Sequence, residues 1–144
     1  MNPKFIKLAD NYYVSPQISE AEAAEAAAAG FDLIVNNRPD HEEEGQPLSA
    51  EIEAAAKAAG IAYLAIPIGR DGISREDIDA LQSASASHSK ILGYCRTGTR
   101  STILRAMMQA KAGMDPEAII AEAAAGGYDI SAQRGAFESL NQQN

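Results

Sequence analysis

The chain has one cysteine, and the six residues after it are Arg96, Thr97, Gly98, Thr99, Arg100 and Ser101. Two guanidinium groups, three hydroxyls and a glycine so close together make a receptor for an anion. Cys95 adds a nucleophile, because a thiolate attacks where a neutral thiol does not. The combination points to group transfer, in which the anion is bound and the sulfur takes part of it. An ordinary buried thiol at a strand end has no need of such neighbours.

The flanking residues supply the scaffold this loop requires. Ile91-Leu92-Gly93-Tyr94 is a short apolar run and reads as a buried strand. Beyond the loop, Ile103 and Met107, and Leu104 and Met108, are four apart, the spacing of one helix face. Strand, tight loop and helix aim successive backbone N–H groups at one point and set a helix N-terminus behind them. Making a free thiol mostly anionic at neutral pH takes about 3–4 kcal/mol of preference for the charged form. A helix N-terminus contributes about 0.3–1 kcal/mol when exposed and up to ~2 when partly buried. The loop N–H groups and Arg100, with Arg96, must supply the rest. Gly98 lets the backbone close on a ligand with no Cβ in the way. Thr97, Thr99 and Ser101 offer hydroxyls to it.

On these residues the loop resembles the active-site loop of the rhodanese sulfurtransferases and, more distantly, the phosphate loop of cysteine-dependent protein phosphatases. The phosphatase pattern has five residues between cysteine and arginine. Here four lie between Cys95 and Arg100, and Ser101 takes the sixth position after the cysteine. Tyr94 precedes the cysteine, as is frequent in rhodaneses, where phosphatases usually have histidine. The first resemblance implies a sulfurtransferase, in which Cys95 takes the outer sulfur of thiosulfate or a persulfide and passes it to a thiol or cyanide. Arg100 and the N–H groups of residues 96–101 would stabilise the anionic sulfur, with Arg96 orienting the donor. The second resemblance implies a phosphatase, with a phosphocysteine on Cys95 and Arg100 on the phosphoryl oxygens. A third reading is a module that binds phosphate or sulfate and turns nothing over. Sulfur transfer is the first expectation, which the rhodanese resemblance implies: a shorter loop makes a smaller cradle, similar to what a persulfide sulfur needs.

Composition narrows the partners. The net charge is −8, from 12 basic and 20 acidic residues, which argues against nucleic acid. Between Ala80 and Met114, however, there is no Asp or Glu, while Lys90, Arg96, Arg100, Arg105 and Lys111 all fall there. A positive pocket on an acidic body favours a small anion; Arg105 and Lys111 are expected only to solvate an exposed helix face. One cysteine forms no intramolecular disulfide. The first ten residues lack the apolar run of a signal peptide, and no stretch is long enough to span a membrane, so a cytoplasmic protein is expected.

The rest of the chain reads as strands alternating with helices. A hairpin is expected over Phe5–Val14, turning at Asp10-Asn11. Ser19-Glu20-Ala21-Glu22 is a capping box opening an alanine-rich helix that Gly30 ends. Phe31–Val35 is a strand, residues 49–59 a helix, Ile61–Ile68 a strand. Ser74-Arg75-Glu76-Asp77 caps a third helix. The cysteine loop's helix stops at Gly113, and Asp115-Pro116 starts another. A last short helix covers Ser131–Leu140. This pattern predicts an α/β fold, one domain over residues 1–144, with a mainly parallel sheet covered by helices on both faces. Ligands of such sheets bind beyond the carboxyl ends of the strands, where Cys95, Arg38 and Asp71 would emerge.

As a whole the layout is similar to the phosphatase-like domain family of bacterial beta-lactamase-hydrolase-like proteins. The resemblance rests on Tyr13-Val14-Ser15-Pro16-Gln17, Asn36-Asn37-Arg38-Pro39-Asp40 with the acidic run after it, Gln46-Pro47, Ile66-Pro67-Ile68 and the cysteine loop. It implies a fold like that of the dual-specificity phosphatases. Phosphatases of that fold often place a general-acid aspartate two positions after an Ile-Pro-Val triplet. In this chain that position is Arg70, and Asp71 comes one later, either as the acid or as a turn residue between Gly69 and Gly72. Arg38 either reaches the bound anion or pairs with Glu42–Glu44. His41 and His88 lack spaced partners, so no metal is expected, and no cofactor.

Overall fold

The computed structural model describes residues 1–143. Among them β1 (Ile6–Ala9), β2 (Tyr12–Ser15), β3 (Leu33–Asn36), β4 (Ala62–Ala65) and β5 (Ile91–Tyr94) form one sheet in the order β1-β2-β5-β3-β4. β1 and β2 are an antiparallel hairpin turning at Asp10-Asn11, and the remaining pairings are parallel. The helices are α1 (Glu20–Ala28), α2 (Ser49–Ala58), α3 (Arg75–Ala86), α4 (Thr99–Lys111), α5 (Pro116–Ala125) and α6 (Arg134–Asn141). Side chains start several of them. Ser19 and Glu22 cap α1 reciprocally, Ser74 and Asp77 do the same for α3, and Asp115 caps α5 with Pro116 at its first position.

Every residue of β3 and β5 is buried, as expected for central strands covered on both faces. Alternate residues divide between the two layers. Ile34 and Leu92 pack with Ile18, Ala23 and Ile52 beneath α1 and α2. Leu33, Val35 and Ile91 pack with Ile78, Leu81 and Leu104 beneath α3 and α4. α5 and α6 extend that second layer through Ala106, Ile119 and Phe137.

Two expectations need correction. Of the run Ile61–Ile68 only Ala62–Ala65 is strand, at the sheet edge with Ala62 and Ala65 exposed. Pro67 has no N–H to offer a ladder, and past Ala65 the chain instead bonds Asn36 and Asn37 through the N–H groups of Ile66 and Ile68. Arg105 is not a solvated residue. It is 8% exposed, pairs with Glu122 of α5, and lies 5.1 Å from the centroid of the Tyr12 ring, so its charge is held between a carboxylate and a π face. Lys111, partly exposed, pairs with Asp79 of α3.

Parallel pairing brings the carboxyl ends of β2, β3, β4 and β5 to one edge. Ser15, Asn36 and Tyr94 are in register there, with Ala65 opposite Asn36. The cysteine loop leaves the sheet at that edge.

Candidate active site

Backbone bonds between neighbouring strand ends fix where the loop begins. The Cys95 N–H donates to the Ser15 carbonyl at 3.4 Å, and the Gln17 N–H donates to the Arg96 carbonyl at 3.3 Å. Asn37, fully buried, ties three segments together. Its N–H donates to the Tyr94 carbonyl (2.8 Å), its carbonyl accepts from Ile68 N–H (3.0 Å), and its side-chain amide donates to the Ile66 carbonyl (3.0 Å). The Ile68 carbonyl is thereby fixed, and it becomes a ligand for Arg100.

The loop turns at Gly98, whose φ of 93° lies in the left-handed region that favours glycine. Its N–H donates to Cys95 Sγ at 3.1 Å. Its carbonyl accepts from the N–H (3.0 Å) and the hydroxyl (2.8 Å) of Thr102, in the first turn of α4. Cys95 itself is 1% exposed. The sulfur therefore lies below the surface, but a backbone donor faces it, as an anion requires. The Thr97 hydroxyl is turned on that of Thr99 at 3.1 Å, both at the exposed rim. Ser101 is fully buried, and its hydroxyl has no partner among the described residues.

Arg100 shows how an anion could be held. Its Nη1 donates to Glu42 (2.7 Å) and to the Ile68 carbonyl (2.8 Å), and its Nη2 donates to the other Glu42 oxygen (2.8 Å). A guanidinium has five N–H donors. Among the described residues Glu42 and Ile68 take three of them, and the other two, Nε–H and the second Nη2–H, lie side by side and match two oxygens of one ligand. The Cys95 sulfur is within Arg100's electrostatic reach, and the bonds to Glu42 together with that sulfur raise the guanidinium's pKa. Glu42 is pulled in the other direction. Its bonds from Arg100, then from Arg38, lower its pKa to about 2.

The other two arginines are committed to the acidic run. Arg38, 4% exposed, donates to Glu42 (2.9 Å), Glu43 (2.7 Å) and the Gln17 side chain (3.1 Å). Its role at this point is to hold the 39–46 loop against the sheet edge. Arg96, largely exposed, is 3.1 Å from Glu43. Arg96, Arg100, Arg70, His41, Glu42 and Glu43 line an open cleft of about 530 Å³. Asp71 does not line it. It is exposed in the turn closed by the Gly72 N–H to Gly69 carbonyl bond, and its side chain makes no hydrogen bond or ion pair among the described residues. No three His, Cys, Asp or Glu side chains converge on a metal position among the described residues, and no helix there is long and apolar enough to cross a membrane.

Two participants escape a reading of the sequence. Glu42 is 58 positions from Arg100, and the acidic run suggests a pair with Arg38 but not the second one with Arg100. Tyr128, 31 positions past Thr97, donates its hydroxyl to the Thr97 carbonyl at 3.0 Å. Nothing local to Gly126-Gly127-Tyr128 marks it.

Comparison with known proteins places this geometry in a lineage. The family model described as beta-lactamase hydrolase-like protein, phosphatase-like domain, matches residues 4–112. The chain belongs to this family. A beta-lactamase hydrolase-like protein of Xylella fastidiosa (strain Temecula1) is 33% identical over 129 residues, 88% of this chain and 30% of that protein. The chain thus spans less than a third of that relative's length. A crystal structure from Neisseria meningitidis, of a protein described as a candidate phosphatase, is 32% identical with a TM-score of 0.84, covering 95% of this chain and 98% of that one. A cysteine-to-serine variant of P. aeruginosa TpbA, crystallised with phosphotyrosine, shares the fold at 17% identity and a TM-score of 0.64, covering 99% and 96%. The fold is a cysteine-phosphatase-like one, and the family is that of the phosphatase-like domain. The family model and the Neisseria meningitidis structure carry phosphatase descriptions, which favours phosphate over sulfur transfer and reverses the order that loop spacing gave.

Proposed function

We propose that residues 1–144 act as one domain, a cysteine-dependent phosphatase for phosphate monoesters. The observation that most supports this is the Gly98 N–H donating to Cys95 Sγ together with the Arg100 guanidinium, which interacts with that sulfur and has two parallel N–H groups not taken up by Glu42 or Ile68. Arg96 and Arg100 draw the phosphoryl group into the cleft, and the free edge of Arg100 takes two of its oxygens. The thiolate attacks phosphorus in line, so that an S–P bond forms as the P–O bond to the alcohol breaks. Asp71, in the turn beside Arg70, is the group in reach of a proton-donating role once that turn folds over the cleft, and it protonates the leaving oxygen. Water then attacks the phosphocysteine, giving its proton to the Asp71 carboxylate. Inorganic phosphate leaves and the thiolate is restored. The steps need no cofactor. A catalytic thiol that must stay reduced fits a cytoplasmic location.

One observation favours a second reading. The loop closes with four residues between Cys95 and Arg100, and Asp71 is unengaged. Sulfur transfer from thiosulfate or a persulfide to a thiophile suits a small cradle and makes no strong demand for a general acid. A paired assay separates the readings: hydrolysis of an aryl phosphate beside thiocyanate release from thiosulfate and cyanide, each with Cys95→Ser as control. Cys95-dependent phosphate release without thiocyanate is the expected result, and the reverse assigns sulfur transfer. Neither activity, with phosphate still raising the unfolding temperature, leaves a binding module.

A further inference from the structure

The Thr97–Gly98 peptide is held from both ends. Its N–H, on Gly98, donates to Cys95 Sγ at 3.1 Å, and its carbonyl, on Thr97, accepts from Tyr128 Oη at 3.0 Å. In a trans peptide these two groups point in opposite directions. A phenol that fixes the carbonyl outward therefore fixes the N–H inward. If the peptide turned over, a carbonyl oxygen would face the sulfur and repel the negative charge that the N–H stabilises.

We infer that Tyr128 is a positioning residue for the chemistry of Cys95, keeping the Gly98 N–H on the sulfur by anchoring the Thr97 carbonyl. The inference rests on the proposed role of Cys95 as nucleophile. The fit is close. A Cβ built on Gly98 would sit 2.2 Å from Tyr128 Oη, so the phenol lies directly against the glycine backbone. The ring packs against the apolar groups beneath α3 and α4 and beside α5 and α6, and the backbone N–H of Tyr128 donates to the Ala123 carbonyl at 3.0 Å after α5 ends. Burial, and then the negative charge of the Cys95 sulfur, raise the pKa of the phenol, so it stays a protonated donor when the thiolate forms. Tyr128 also lies beyond residues 4–112, the part of the chain that the family model matches. Among the described residues, Arg100 and Tyr128 are charged or titratable groups that interact with the sulfur, and Glu42 is bonded to Arg100.

The test is the pH dependence of Cys95 alkylation by iodoacetamide in the full chain, for wild type, Tyr128→Phe and Tyr128→Leu. Only the thiolate reacts. Losing one neutral hydrogen bond that secures a donor is expected to slow alkylation about three- to tenfold at pH 6.5. The Tyr128→Phe profile should move to higher pH and rejoin wild type on the alkaline plateau, where both thiols are fully ionised. Tyr128→Leu, lacking ring and hydroxyl, should move it by a similar factor. Superimposed wild-type and Phe profiles, with displacement in Leu alone, would overturn the inference by assigning Tyr128 a packing role. A rate lowered equally at all pH values, plateau included, would also overturn it, as a change of access. If the wild-type profile is that of an ordinary free thiol, titrating near about 8.5, the reading of Cys95 as nucleophile fails first.

Discussion

Replacing Glu42 with Gln tests the electrostatics of the site through stability alone, without presuming the reaction. Glu42 accepts two bonds from Arg100 and one from Arg38, and its pKa falls from the ordinary 4.5 to about 2. Taken at face value, such a displacement corresponds to about 3 kcal/mol of preference for the ionised folded state. The side chain is 28% exposed, and solvent screening reduces this to about 1–2 kcal/mol. The sign follows from the direction of the displacement. The unfolded carboxylate titrates near 4.5 and the folded one near 2, so the contribution is complete above about pH 4.5 and is lost as pH falls through 2. Glu42→Gln should therefore unfold about 1–2 kcal/mol more easily at pH 7, and the gap should close between pH 4.5 and pH 2. Urea unfolding of both proteins across that range measures it. A difference that stays constant with pH, or none at pH 7, would refute the assignment of Glu42 as the anchor of Arg100.

Two further substitutions probe the loop and the turn. Gly98→Ala places a Cβ against Tyr128 Oη on a backbone with φ of 93°, and should cost about 1–3 kcal/mol for the backbone alone; a thermal melt at wild-type temperature would contradict this. Asp71→Asn should lower hydrolysis of an alkyl phosphate about 10²–10⁴-fold while sparing an aryl phosphate with a good leaving group. Equal turnover of the alkyl ester by both proteins would remove Asp71 from the mechanism.

The fold was legible because its signals are local. Ser19 with Glu22, Ser74 with Asp77, and Asp115-Pro116 each announce a helix start within four residues. Ile91–Tyr94 followed by the cysteine loop announces the strand, turn and helix that build the site. What the sequence hid depends on which distant residues meet. Arg105 looks solvated until Tyr12 and Glu122 are seen to enclose it. The run Ile61–Ile68 looks like one strand, but its ladder stops where the neighbouring strand β3 stops. The same limit applies within the site. Cys95, Gly98 and Arg100 could be picked out as a group because they lie within six positions. Glu42 and Tyr128, which orient Arg100 and the Gly98 peptide, come from loops on either side, joined to the site only by the chain's folding.

The central claim is that Cys95 carries the transferred group covalently. Acid quench of the protein during turnover of an aryl phosphate, followed by intact and peptide mass measurement, tests it most directly. The account predicts one phosphoryl group on the peptide containing Cys95, absent from Cys95→Ser, which should also have lost turnover. Unmodified Cys95 during steady turnover, with Cys95→Ser hydrolysing as fast as wild type, would contradict it.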